Sequence, residues 1–147
     1  MTEIRFYHLQ RQRLEDVLPA LLDKARERGH RVVVQAGSAD RVAALDALLW
    51  TWRPDNFLAH GSAAIGMAEE QPIWLTEHEE CPNGADMLVL VDGAAADIAR
   101  YALACELFDG LDEEAVAEAR RRWTAYKAAG HAMTYWQQGD RGWEKRA

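Results

Sequence analysis

Residues 86–91 read DMLVLV and residues 31–35 read RVVVQ. Neither run alternates apolar with polar side chains, so a strand built from either must be covered on both faces. Strands of that kind sit in the middle of a parallel sheet between two layers of helix, and the rest of the chain supplies the helices. Residues 4–9 read as another strand. After them Leu14, Val17, Leu18, Leu21, Leu22 and Ala25 recur at the spacing of a helix packed on one face, stopped by Gly29. Pro19 is tolerated only in a first turn, which moves the regular start to near Asp16. Ser38 is a candidate N-cap for a helix running to about Trp52 and closed by Pro54. Residues 57–59 and 72–75 read as short strands joined by an exposed loop, HGSAAIGMAEEQ. Asp92-Gly93 ends DMLVLV, a helix is expected over about 95–107, and Asp112 caps a last helix that Gly130 ends. The pattern predicts a single α/β domain over residues 1–136, with a mostly parallel sheet and helices on both faces. Residues 137–147 follow as a basic C-terminal tail.

A chain of 147 residues, 49% hydrophobic, can bury a full core without metals or disulfides. Its net charge of −7 argues against a protein that grips bare nucleic acid, where binding is mostly phosphate neutralisation. The charge is polarised. Residues 120–147 hold seven basic side chains against two acidic ones, a local +5, which leaves −12 on residues 1–119. A molecule built this way repels DNA as a whole and still attracts an acidic partner at one end. Cys81 and Cys105 make no disulfide framework, and no charged-then-apolar leader opens the chain. No apolar run nears the roughly 18 residues of a membrane span. A cytoplasmic protein with no membrane role is expected.

Signals for catalysis are weak. G-x-G-x-x-G, G-x-x-x-x-G-K-[ST] and G-x-S-x-G are absent, and GSAAIG lacks the lysine that would reach phosphates. His78 and Cys81 stand three apart with no second pair to complete a zinc site, so no metal and no cofactor are expected. Asp92 follows a strand, the place where open α/β sheets bind ligands, and a small enzyme with a strand-end active site there is the alternative reading. Asp-Gly after a strand is also ordinary turn chemistry. No catalytic residue is assigned.

The aromatics say more. On the second helix Val42, Leu45, Leu48, Leu49 and Trp52 share one face, whereas Trp50 falls well off that stripe. It reads as an exposed anchor for a protein partner, extended by Arg53, Pro54 and Phe57. On the last helix Val116, Ala119, Trp123 and Tyr126 form the core stripe. Arg120 and Lys127 flank one edge with Thr124 beside them, Arg122 lies on the opposite edge and Arg121 points outward. Cations bordering an apolar groove suit a short acidic peptide with a hydrophobic end.

At these residues the sequence resembles the chi subunit of bacterial DNA polymerase III. The matching stretches are FYHL at 6–9, LDALLWT at 45–51, FLAHG at 57–61, QPIWLT at 71–76, PNGADMLVLVDG at 82–93 and LFDG at 107–110. The pattern from Ala119 to Trp136 completes the match. The resemblance implies a three-layer α/β/α fold and a non-catalytic accessory subunit. Such a subunit ties the clamp loader, through the psi subunit, to the acidic, phenylalanine-ended C-terminal tail of single-stranded-DNA-binding protein (SSB). DNA is then met only through SSB. The family's tail-binding pocket maps onto Phe108, Arg120 and Trp123, and its psi-facing patch onto Trp50 and Phe57 with Pro54 nearby. Two lysines of the family's pocket are Val116 and Thr124 here. The remaining basic rim is expected from Lys127, Arg121 or the stretch 141–146.

Overall fold

The computed structural model describes residues 2–52 and 58–147. In chain order the elements are β1 (Glu3–Leu9), α1 (Leu14–Glu27), β2 (Val32–Gln35), α2 (Ala39–Thr51), β3 (Gly61–Ser62), a single 3-10 turn (Ala68–Glu70) and β4 (Ile73–Thr76). Then come β5 (Met87–Leu90), β6 (Leu103–Asp109), α3 (Glu113–Ala128), β7 (Ala132–Gly139) and β8 (Gly142–Lys145). Among the described residues the strands form one sheet in the order β3-β4-β2-β5-β6-β1-β7-β8. Every pairing is parallel except β7 with β8.

The two runs of continuous apolar residues became β2 and β5, neighbours in mid-sheet and buried along their whole length. Their alternate side chains serve two cores. Val32, Val34, Met87 and Val89 join Leu18 and Leu22 of α1 and Leu45 and Leu49 of α2. Val33, Leu88 and Leu90 join Ile4 and Phe6 of β1 and Ala119 of α3, with Trp123 and Tyr126 packed alongside. Helices on both faces of a mostly parallel sheet give the expected three layers.

Four expectations need correction. Residues 95–107 do not form a helix: 103–109 are strand β6, inserted between β5 and β1 and paired in parallel with both. LACELF has a helix former's composition, but the vacancy between two parallel strands outweighs a local preference. Residues 58–60 are not in a strand. The edge strand is Gly61–Ser62 instead, and His60, Gly61 and Ser62 are buried rather than lying in an exposed loop. Gly61 lets the Gln71 side chain lie close, because a Cβ there would sit 2.5 Å from it and force it to move. Helix α1 starts at Leu14, which puts Pro19 in its second turn. The lost hydrogen bond is offset by burial of the proline ring together with Val17, Leu18 and Leu22. Finally, residues 137–147 carry the end of β7 and all of β8, with Trp143 edge-on to Tyr7 at 5.1 Å.

Candidate functional site

Helix α3 is held at its start by Asp112, whose carboxylate accepts from the backbone N–H groups of Glu114 (3.0 Å) and Ala115 (3.4 Å). Asp112→Ala should cost about 1 kcal/mol of stability, read from urea denaturation. A variant as stable as wild type would show that the cap contributes nothing. From that fixed start the helix crosses the sheet and lays Trp123 against the fully buried ring of Phe6, with centroids 5.4 Å apart and edge to face.

Phe6 is the floor of an aromatic patch. Tyr135 of β7 stacks on it at 6.3 Å, and Tyr126 and Phe108 lie at 6.0 and 6.5 Å. Above the floor, half-buried Tyr135 stands 5.8 Å from Trp123 and 6.1 Å from Phe108. His8 closes the set, 5.1 Å from Phe108, with its Nδ1 hydrogen-bonded to the Tyr135 hydroxyl at 2.6 Å. Burial lowers the pKa of His8; a hydrogen bond with the Gly110 backbone opposes this, and Arg120 adds a further lowering that Asp109 works against. The ring is therefore neutral at pH 7 and adds no cation. The same burial raises the Tyr135 phenol, which Arg120 partly opposes. Arg120 thus lies within electrostatic reach of both.

The cations of α3 have different fates. Arg120 and Lys127 are exposed and form no ion pair among the described residues. Arg121 is paired with Glu118, Nε to carboxylate 3.0 Å. Arg122 is a structural residue. Its guanidinium donates to Glu106, Glu118 and the carbonyls of Gly93 and Ala94. The Thr124 hydroxyl donates to the Arg120 carbonyl one turn back, so its proton is not offered to a ligand's carboxylate, and it presents its methyl and an accepting oxygen instead. The structure therefore brings Phe108, Arg120 and Trp123 together, with Lys127 one helical turn beyond Trp123. His8 and Tyr135 were assigned no role from the sequence. The signal lay in alternation, since His8 is two residues from Phe6 and on its side of the strand.

Trp50 is 48% exposed, as its off-stripe position predicts, and its ring lies 5.0 Å from that of buried His60. His60 is itself set between Asp46, 3.0 Å from Nε2, and the Leu58 carbonyl, 2.7 Å from Nδ1. Pro54 and Phe57 lie outside the described residues. Asp92 is occupied as a tether, accepting from the Gly37 N–H (3.3 Å) and Arg41 Nε (3.0 Å) so that the end of β5 is tied to α2. No group of three or more His, Cys, Asp or Glu side chains among the described residues could hold a metal ion. No helix among them is long and apolar enough to cross a membrane.

A family model described as "DNA polymerase III chi subunit, HolC" matches residues 1–134. A protein of Rickettsia prowazekii (strain Madrid E) named "Probable DNA polymerase III subunit chi" is 26% identical over 100 residues. The match covers 68% of this chain and 59% of that protein's length.

Proposed function

The chain belongs to the DNA polymerase III chi subunit family, and from that premise we propose that it is a non-catalytic accessory subunit of the cytoplasmic replicase that captures the C-terminal tail of SSB. The tail's carboxylates meet Arg120 and Lys127, and its terminal phenylalanine enters the patch of Phe108 and Trp123, with the Thr124 methyl at its edge. The observation that supports this reading is the half-buried aromatic patch flanked by Arg120 and Lys127, which form no ion pair among the described residues. His8 and the Tyr135 hydroxyl satisfy each other above the Phe6 floor and add no charge to it, which suits a phenyl ring rather than a second charge. The Trp50 surface, with Pro54 and Phe57, takes psi or another protein at the same place. DNA is reached only through SSB, in keeping with the −12 on residues 1–119.

A disordered tail must be ordered on binding, so the affinity is expected to be micromolar and to weaken as salt rises. Fluorescence anisotropy with a labelled acidic peptide ending in phenylalanine tests the assignment. Arg120→Ala should weaken binding by about tenfold or more, the usual worth of a charge-assisted contact. Equal binding by wild type and Arg120→Ala would show that the peptide sits elsewhere.

A further inference from the structure

The family match stops at residue 134, yet the chain continues into β8, which pairs with β7, the strand that carries Tyr135 of the aromatic patch. In the β7–β8 hairpin Trp143 pairs with Gln138 and packs with the core beneath α1. Alternation then turns Glu144 and Arg146 to the opposite face, the one that carries α3. Two contacts agree with this. Arg146 Nη2 reaches Glu144 Oε2 at 2.8 Å across the two-residue spacing. The Arg146 backbone N–H donates to the Tyr135 carbonyl at 2.7 Å, which sets Arg146 next to Tyr135 across the hairpin, and the Tyr135 ring in turn meets Trp123 and Phe108. Arg120 acts on Tyr135 electrostatically from the α3 side, while Arg146 is joined to Tyr135 through the backbone. Gly139, paired with Gly142 at the turn, leaves the room that the Glu144 carboxylate occupies, since a Cβ there would collide with it.

We propose that Arg146 is a third cation of the peptide-binding patch, neutralised by Glu144 until an acidic peptide displaces that carboxylate. The inference rests on the reading that the α3 patch takes an acidic tail, and it answers what replaces the lysines absent at Val116 and Thr124. Of the arginines near the patch, Arg122 cannot serve, because its side chain is 13% exposed and donates to four acceptors. Arg146 can. Its side chain is 55% exposed, its carboxylate partner Glu144 is 48% exposed, and an open pair of this kind contributes little and exchanges readily. An incoming peptide with several carboxylates offers Arg146 the same bond and adds its aromatic end, so the exchange favours the complex. Competition with Glu144 makes affinity rise with the number of acidic residues that the peptide carries.

The same anisotropy titration on the full chain tests this. Arg146→Ala should weaken binding by about 3- to 10-fold, and Arg146→Lys should restore part of the loss. Glu144→Gln should tighten binding by about 2- to 5-fold in the wild-type background and have no effect in Arg146→Ala, because Glu144 acts through Arg146. Asp140→Asn removes a charge of the same sign from the same hairpin but from a carboxylate engaged with Arg11, and it should leave affinity unchanged. If Arg120→Ala weakens binding while Arg146→Ala and Glu144→Gln do not change it, the site stands and Arg146 is no part of it. An equal gain from Glu144→Gln with or without Arg146 would likewise overturn the gating role. If Arg120→Ala has no effect, the peptide site itself is wrong and this inference fails with it.

Discussion

Arg122→Met is expected to lower stability by about 3–5 kcal/mol at neutral pH, the usual consequence of leaving one member of a buried ion pair behind. Glu106 and Arg122 have side chains only 7% and 13% exposed. Burial already raises the Glu106 carboxyl above its ordinary range, with Arg122 and Tyr126 opposing the rise. Without the guanidinium the rise grows. A carboxyl whose folded pKa lies above its unfolded one holds its proton more tightly in the folded state, so stability falls as pH climbs from the unfolded value through the folded one. The deficit of Arg122→Met should therefore be greatest at neutral and alkaline pH and shrink as pH approaches the ordinary carboxyl range. Urea denaturation at pH 5 and pH 7.5 reads this directly. A deficit of the same size at both would mean that lost packing, not a stranded carboxylate, is responsible. The double variant Arg122→Met/Glu106→Leu should regain most of the loss, because an apolar pair of similar volume leaves no charge to desolvate. Arg122 also holds the carbonyls of Gly93 and Ala94, so the variant loosens the start of the irregular segment over this face of the sheet.

The stretch from that segment through β6 is where the sequence was hardest to read. RVVVQ and DMLVLV were legible as strands because a continuous apolar run has one economical use in an α/β domain, burial on both faces. LACELFD carries no such signature. Its alanine, leucine and glutamate favour helix, and it became a strand because β1 and β5 both required a parallel neighbour, a demand written in other parts of the chain. The candidate site divides in the same way. Arg120, Trp123 and Lys127 were placed by helical spacing alone, and Trp50 by its angle from the apolar stripe. Tyr135 and His8 were invisible as a pair, because their meeting depends on the β1–β7 register that sets Phe6 opposite Tyr135. The fates of Arg121 and Arg122 were half legible. Glu118 stands three and four residues before them, the spacing of helix ion pairs, but the buried Glu106 that claims Arg122 lies on a strand the sequence hid. The hairpin of β7 and β8 went unread for a similar reason, since a basic composition outweighed the single Trp143 that fixes it to the core.

Phe6→Ala is expected to cost about 3–5 kcal/mol, the range for removing a fully buried phenylalanine, and to lower the melting temperature by roughly 10 °C in a chain of this length. Phe6 is 0% exposed and lies within 6.5 Å of four other aromatic rings, Phe108, Trp123, Tyr126 and Tyr135. These rings come from β6, α3 and β7, so no one element can close over the cavity without moving another. Phe6→Leu fills most of the space, but it forfeits the edge-to-face and stacked contacts, each worth about 0.5–1.5 kcal/mol. It should therefore cost between 1 and about 3 kcal/mol, as judged from those contacts. Calorimetry gives the stability of both variants, and near-ultraviolet circular dichroism reports whether the Trp123 and Tyr135 rings keep a fixed setting. A loss below 1 kcal/mol in Phe6→Ala would mean that the rings repack freely and that Phe6 does not set their positions. The two variants also separate core from surface. If peptide affinity depends on Phe108, Trp123 and Tyr135 being held at their spacing, Phe6→Leu should weaken binding even at temperatures where it is fully folded. A folded Phe6→Leu with unchanged affinity would place the peptide's aromatic end away from these rings.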